Sequence, residues 1–124
     1  MQNSPIPQVD VLEAHRRLTE PVTGSPAPVL VDVREVNEFL QARADGAVLL
    51  PLSQFMVRYQ ELPADRPLLM ICAAGGRSAQ ATAFLLANGW EDVTNVMGGT
   101  GSWVASGLPA RSGPLAADEE GRGF

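Results

Sequence analysis

Apolar residues along this chain arrive in short dense runs set between longer mixed stretches. Val29-Leu30-Val31, Ala47-Val48-Leu49-Leu50, Leu68-Leu69-Met70-Ile71 and Val93 to Met97 are such runs. They are continuous rather than alternating, the pattern of strands covered on both faces. Between them the spacing turns helical. Asp10 is a good N-cap for a helix over Val11 to Leu18, with Glu13 completing a capping-box-like pattern. Val36, Phe39 and Leu40 fall at i, i+3 and i+4 on one face of a second helix, and Leu52 to Tyr59 reads as a third. The alanine-rich segment from Arg77 to Asn88 predicts a helix packed closely on a sheet, with a Gln80–Phe84–Asn88 stripe facing out. Gly89 suits the left-handed C′ position, and Trp90 at C″ can then touch Leu85. Glu20 to Pro28 and Pro63 to Pro67 are loops, and Gly98 to Ser102 leads into a last helical turn at Trp103.

Strands alternating with helices, joined by short linkers, predict an α/β domain with a parallel sheet between helices. Ligands bind such sheets outside the carboxyl ends of the strands. One domain is expected over residues 8–109. Residues 1–7 and 110–124 are read as flexible termini, the second Gly/Pro-rich and then acidic at Asp118, Glu119 and Glu120.

Composition removes several function classes. A net charge of -5 disfavours a nucleic-acid partner, which calls for a basic face. All nine basic residues are arginine, so Schiff-base chemistry and a P-loop lysine are excluded. One cysteine and one histidine, His15, make neither an internal disulfide nor a metal cluster, so no metal and no cofactor are expected. His15 reads as a solvated helix residue. No apolar run approaches the roughly 18 residues of a membrane span. Met1 to Pro7 has neither the basic start nor the apolar core of a signal peptide, and a cytoplasmic location is the expectation.

The candidate chemistry centres on Cys72. The densest strand ends at this thiol, and Ala73, Ala74, Gly75 and Gly76 lead to Arg77 and a new helix. A free thiol is only a few per cent ionised at pH 7, and lowering its pKa by two units takes about 2.7 kcal/mol. A helix N-terminus gives about 0.3–1 kcal/mol, which is too little alone. Charge-assisted hydrogen bonds from loop amides or Arg77 add about 1.5–3 kcal/mol each, which is enough. Small side chains at 73–76 let those amides converge on an anion above the sulfur.

Motifs in order along the chain resemble those of the single-domain rhodaneses, the thiosulfate sulfurtransferase family, over roughly residues 8–109. They are Val31-Asp32-Val33-Arg34-Glu35 with Glu38-Phe39, Gly46-Ala47 leading to Pro51-Leu52, and Cys72-Ala73-Ala74-Gly75-Gly76-Arg77-Ser78. Gly98-Gly99 with Trp103, and Gly107-Leu108-Pro109, complete the set. The resemblance implies a three-layer α/β fold with a five-stranded parallel sheet and helices on both faces. It implies a persulfide made at Cys72 and passed to cyanide or a thiol, with a small-molecule sulfur donor or a sulfur-relay protein as partner. Four residues separate Cys72 from Arg77, the shorter loop of the sulfurtransferases rather than the wider loop of the phosphatase-like branch.

The chain departs from the family at Ala42-Arg43-Ala44, where Gly-His-Ile is usual, and at Ala73, a position often basic in thiosulfate users. Thr100 and Ser102 replace more usual apolar residues. Asp32, Arg34 and Glu38 are read as structural supports: the strand-end carboxylate fastens a loop, while Arg34 and Glu38 pair four residues apart. Trp90 and Trp103 are read as core. Two other function classes stay open at this point, a non-catalytic binding module of the same fold and a cysteine phosphatase or arsenate reductase.

Overall fold

A computed structural model describes residues 5–120 of the chain. Five strands form the main sheet: β1 (Gln8–Val9), β2 (Val29–Asp32), β4 (Val48–Leu49), β5 (Leu68–Ile71) and β6 (Val93–Val96). Their order is β1-β6-β5-β2-β4, and every neighbouring pair is parallel. A second, two-stranded antiparallel sheet joins β3 (Arg43–Ala44) to β7 (Ala110–Arg111). The helices are α1 (Val11–Thr19), α2 (Val36–Gln41), α3 (Leu52–Arg58), α4 (Gly76–Ala87) and α5 (Gly99–Ala105).

The continuous apolar runs are buried on both sides because alternate residues feed two cores. Val29, Val31, Leu68, Met70 and Cys72 face one cluster with Phe55 of α3 and Ala81 and Leu85 of α4. Leu30, Leu69, Ile71 and Val96 face the other, with Val11 and Ala14 of α1, Phe39 of α2 and Trp103 of α5. Three layers result, as the family resemblance implies. The α1 cap forms as its sequence predicts, with the Asp10 carboxylate accepting from the Glu13 amide at 2.8 Å. At the other end of α4 the Trp90 amide reaches back to the Leu85 carbonyl at 3.1 Å, closing the expected C-terminal motif. Phe84 does not face outward. It is half-buried and packs edge-on against Tyr59 and Phe55, leaving Gln80, Ala83 and Ala87 as the exposed side of the helix. His15 is not fully solvated either; its ring meets the edge of buried Trp103 at 5.6 Å.

Residues 110–120 are packed on the domain, unlike the loose terminus their composition suggests; residues 121–124 of that expectation lie outside the described residues. After β7 the chain returns to α2, where the Gly113 amide bonds the Leu40 carbonyl at 2.6 Å. Glu119 then meets Arg43 in a two-pronged ion pair, 2.7 Å on each side, with both side chains almost fully buried. A buried guanidinium needs a counter-charge, and this one lies 76 residues away in the sequence. Local Gly/Pro and acidic composition carries no trace of such a partner. The expectation for residues 1–7 falls partly on Met1 to Ser4, outside the described residues; Pro7 accepts a 2.9 Å bond from the Asn95 amide. Among the described residues no helix is long and apolar enough to cross a membrane.

Candidate active site

In the main sheet, Ile71 at the end of β5 lies directly opposite Asp32 at the end of β2. The chain runs outward from β2 through α2 to β4 on one side, while β5 and β6 lie on the other. This is the crevice where strand order reverses and where ligands of open α/β sheets bind. Cys72 is the next residue after that pair.

The loop bends back over the sulfur. Gly75 takes φ +107°, a left-handed conformation costly for other residues, and its amide donates to Cys72 Sγ at 3.1 Å. The Ser78 hydroxyl, in the first turn of α4, lies 3.3 Å from the same atom. Burial is the largest single influence on the thiol and raises its pKa. The Ser78 hydroxyl and the amides of Ser78, Gly75 and Ala74 together outweigh it, so the pKa lies below the ordinary thiol value. Cys72 is only 1% exposed, while Ala74 and Gly76 above it are exposed. The sulfur sits on the floor of the loop.

The underside of the loop is clamped by α5. Thr100 N donates to Cys72 O at 2.8 Å and Gly101 N to Ala73 O at 3.1 Å. With these carbonyls held below, the following amides turn up towards the sulfur. Gly99, at φ +59°, makes the approach possible, since a Cβ there would lie 2.6 Å from Ala73 O. The Gly98–Ser102 segment thus holds the loop's own carbonyls.

The charged residues pair differently from the sequence expectation. Arg34 does not pair with the Glu38 carboxylate. Its Nε and Nη2 grip Asp32 at 3.0 and 2.8 Å, its backbone amide bonds Asp32 Oδ1 at 3.0 Å, and Nη2 also holds Ala42 O at 2.7 Å. A guanidinium two residues past a strand end folds back onto that strand's carboxylate, which is nearer than the next helical turn. The Glu38 carboxylate is left to Arg77, gripping it with two bonds of 2.8 Å. Arg77 therefore spends its planar fork on a carboxylate and not on the thiolate. Glu38 is held well below its ordinary pKa, at about 2, chiefly by Arg77, and the Arg77 pKa is raised in return.

Two side chains of the site, Ser78 at the end of the Cys72–Ser78 motif and Asn95, have no role in the sequence reading. Ser78 Oγ also lies 2.6 Å from Asn95 Oδ1, and Asn95 Nδ2 reaches Gln8 Oε1 and Gly75 O at 2.9 and 3.2 Å. Ser78 carries a legible signal, a hydroxyl in the first turn of the helix behind the thiol. Asn95 carries only a weak one, a polar residue inside an apolar strand. Among the described residues no group of three or more His, Cys, Asp or Glu side chains is placed to hold a metal ion.

A parallel α/β sheet that presents one hydrogen-bonded thiol at the mouth of a helix makes this a thiol-centred α/β protein. Comparison narrows the class. A family profile for the rhodanese-like domain matches residues 13–106, and the chain belongs to that family. It is 38% identical over 81 residues to a sulfurtransferase of Allochromatium vinosum, covering 65% of this chain and 76% of that one. It is 35% identical over 81 residues to the thiosulfate sulfurtransferase GlpE of Actinobacillus succinogenes, covering 65% and 73%. The crystal structure of a rhodanese-related protein from Thermoplasma volcanium superimposes with a TM-score of 0.74 at 28% identity, covering 85% of this chain and 97% of that one.

Proposed function

We propose that this protein transfers a sulfane sulfur in two steps through a persulfide on Cys72. The Cys72 thiolate attacks the outer sulfur of a donor, the donor's S–S bond breaks, and a Cys72 persulfide remains. A thiol or cyanide then removes the outer sulfur and returns the thiolate. The observation that carries this reading is the convergence of the Gly75 amide and the Ser78 hydroxyl on a sulfur that the Ala74 and Ser78 amides also stabilise. Family membership and the names of the relatives agree with it.

The recess of Cys72 favours a sulfane sulfur over a bulkier reacting group. A terminal sulfur is slim enough to reach a floor-level thiolate, and once bound it stands about 2 Å higher, nearer the acceptor. Ala73, Ala74, Gly75 and Gly76 line its path with little bulk. We place Cys72 as the nucleophile, residues 73–77 as the rim that receives the donor, and Asp32, Arg34 and Glu38 as supports. The domain proper is residues 8–109 with the docked segment after it. A cytoplasmic setting, where thiols stay reduced, suits a lone reactive cysteine.

Intact-mass measurement after incubation with a sulfane donor tests the reading. One added sulfur atom on Cys72 is expected, lost on treatment with cyanide and absent from Cys72→Ser. No adduct from thiosulfate or an organic persulfide would remove the enzymatic reading and leave the binding module.

A further inference from the structure

We propose that Glu38 sets the choice of sulfur donor by holding Arg77 in a neutral ion pair, so that the site takes the sulfur of a weakly charged organic persulfide in preference to dianionic thiosulfate. This rests on the two-step sulfur transfer above.

The charges around the thiol carry the argument. Two guanidiniums approach the crevice, and each is matched by one carboxylate through two bonds: Arg34 by Asp32 and Arg77 by Glu38. Glu38 is itself fixed from behind, since Oε1 accepts the Glu35 amide at 3.1 Å and the Glu38 carbonyl accepts Arg34 Nη1 at 3.3 Å. It is ionised throughout the neutral range, with its pKa lowered to about 2. The Cys72 thiolate then leaves the mouth of the site with one net negative charge, and Ala73 and Ala74 supply no cation. A dianion entering such a mouth meets repulsion and finds no unpaired guanidinium for its sulfonate oxygens. A persulfide with an uncharged tail meets neither obstacle.

Both reactions balance without an added oxidant. With thiosulfate the thiolate takes the outer sulfur and sulfite leaves with the electron pair of the broken S–S bond. With a persulfide R–S–SH, the thiolate bonds the terminal sulfur, which keeps its proton, and the thiolate R–S⁻ leaves.

The test compares initial rates for thiosulfate and for the persulfide of 2-mercaptoethanol in the wild type, Glu38→Gln and the double variant Glu38→Gln/Arg77→Gln. Glutamine keeps one oxygen as acceptor for the Glu35 amide and Arg77 Nη1, and removes the charge together with the acceptor for Arg77 Nη2. In the wild type, kcat/KM for the persulfide is expected to exceed that for thiosulfate at least tenfold, and the thiosulfate rate is not expected to fall with added salt. Glu38→Gln should raise kcat/KM for thiosulfate about tenfold through KM, make it less dependent on salt than in the wild type because the mouth is then neutral, and move the persulfide value less than twofold. The double variant should lose that gain. A Glu38→Gln variant that forms the Cys72 persulfide but shows no gain with thiosulfate would overturn the inference. A wild type that prefers thiosulfate would do so even if the variants fail to fold. Absence of any Cys72 adduct in the wild type would instead remove the sulfur-transfer reading, and this inference with it.

Discussion

Ser78 Oγ stands 3.3 Å from Cys72 Sγ and has a single proton to donate. Asn95 Oδ1, 2.6 Å away on the other side, competes for it. With both Asn95 amide protons given to Gln8 and Gly75, its oxygen is left as the acceptor. When the thiol is protonated the hydroxyl is free to serve Asn95; when the thiolate forms, the same proton is worth more on sulfur.

Ser78→Ala should therefore raise the Cys72 pKa, since the hydroxyl bond that favours the thiolate is lost and the remaining amides recover only part of it. The rate of iodoacetamide alkylation against pH reads this directly. A midpoint that does not move would show that the amides alone hold the thiolate.

Gly99→Ala should damage the loop without touching the sulfur. The new Cβ would meet Ala73 O at 2.6 Å, and the backbone at φ +59° is itself unfavourable for alanine. A loss of about 2–4 kcal/mol of stability is expected. The alkylation midpoint should rise as well, because carbonyls pushed off α5 no longer aim the loop amides. Denaturant unfolding and the alkylation profile together check it.

How much of this was readable beforehand follows from the range of each interaction. The four apolar runs, the five helices and the thiol at a strand end are local patterns and were all visible. β1, β3 and β7 are two residues each, too short to show a period, and exist only because a neighbour pairs with them. The partners of Arg34, Glu38 and Arg77 escape a reading of the sequence for a related reason. Spacing along one helix suggested Arg34 with Glu38, whereas Arg77 arrives from 39 residues away and takes the carboxylate. Residue type announced an ion pair; only the fold decided which.

Thr100→Val is expected to be neutral or stabilising by about 1 kcal/mol. Thr100 Oγ1 is buried with no hydrogen-bond partner, so its desolvation is uncompensated, and the valine methyl fills the same space. Its backbone amide, which holds Cys72 O, is unaffected. Thermal unfolding checks this, and a clear loss would indicate a partner for the hydroxyl.

Acid should weaken the fold in a defined window. Glu38 and Glu119 both have folded pKa values lowered to about 2 from an ordinary 4.5, each mainly by its arginine. A lowered carboxylate pKa adds stability that is fully present above about 4.5 and is lost as the pH falls towards 2. Urea midpoints should drop across that interval. Glu119→Gln should lose about 3 kcal/mol at neutral pH and then fall less steeply on acidification. A variant with the wild-type slope would rule out the Arg43–Glu119 pair as a source.

The Arg43–Glu119 clasp also bears on how the protein is best excised for laboratory work. A fragment trimmed to the recognisable family segment, ending near residue 109, would discard Glu119, the Gly113 and Pro114 carbonyls and the β7 partner of Arg43, leaving its guanidinium only the carbonyl and ring of Phe39. Such a trimmed piece should express poorly or clump for reasons unrelated to sulfur chemistry, and a negative assay on it would say nothing about the intact molecule.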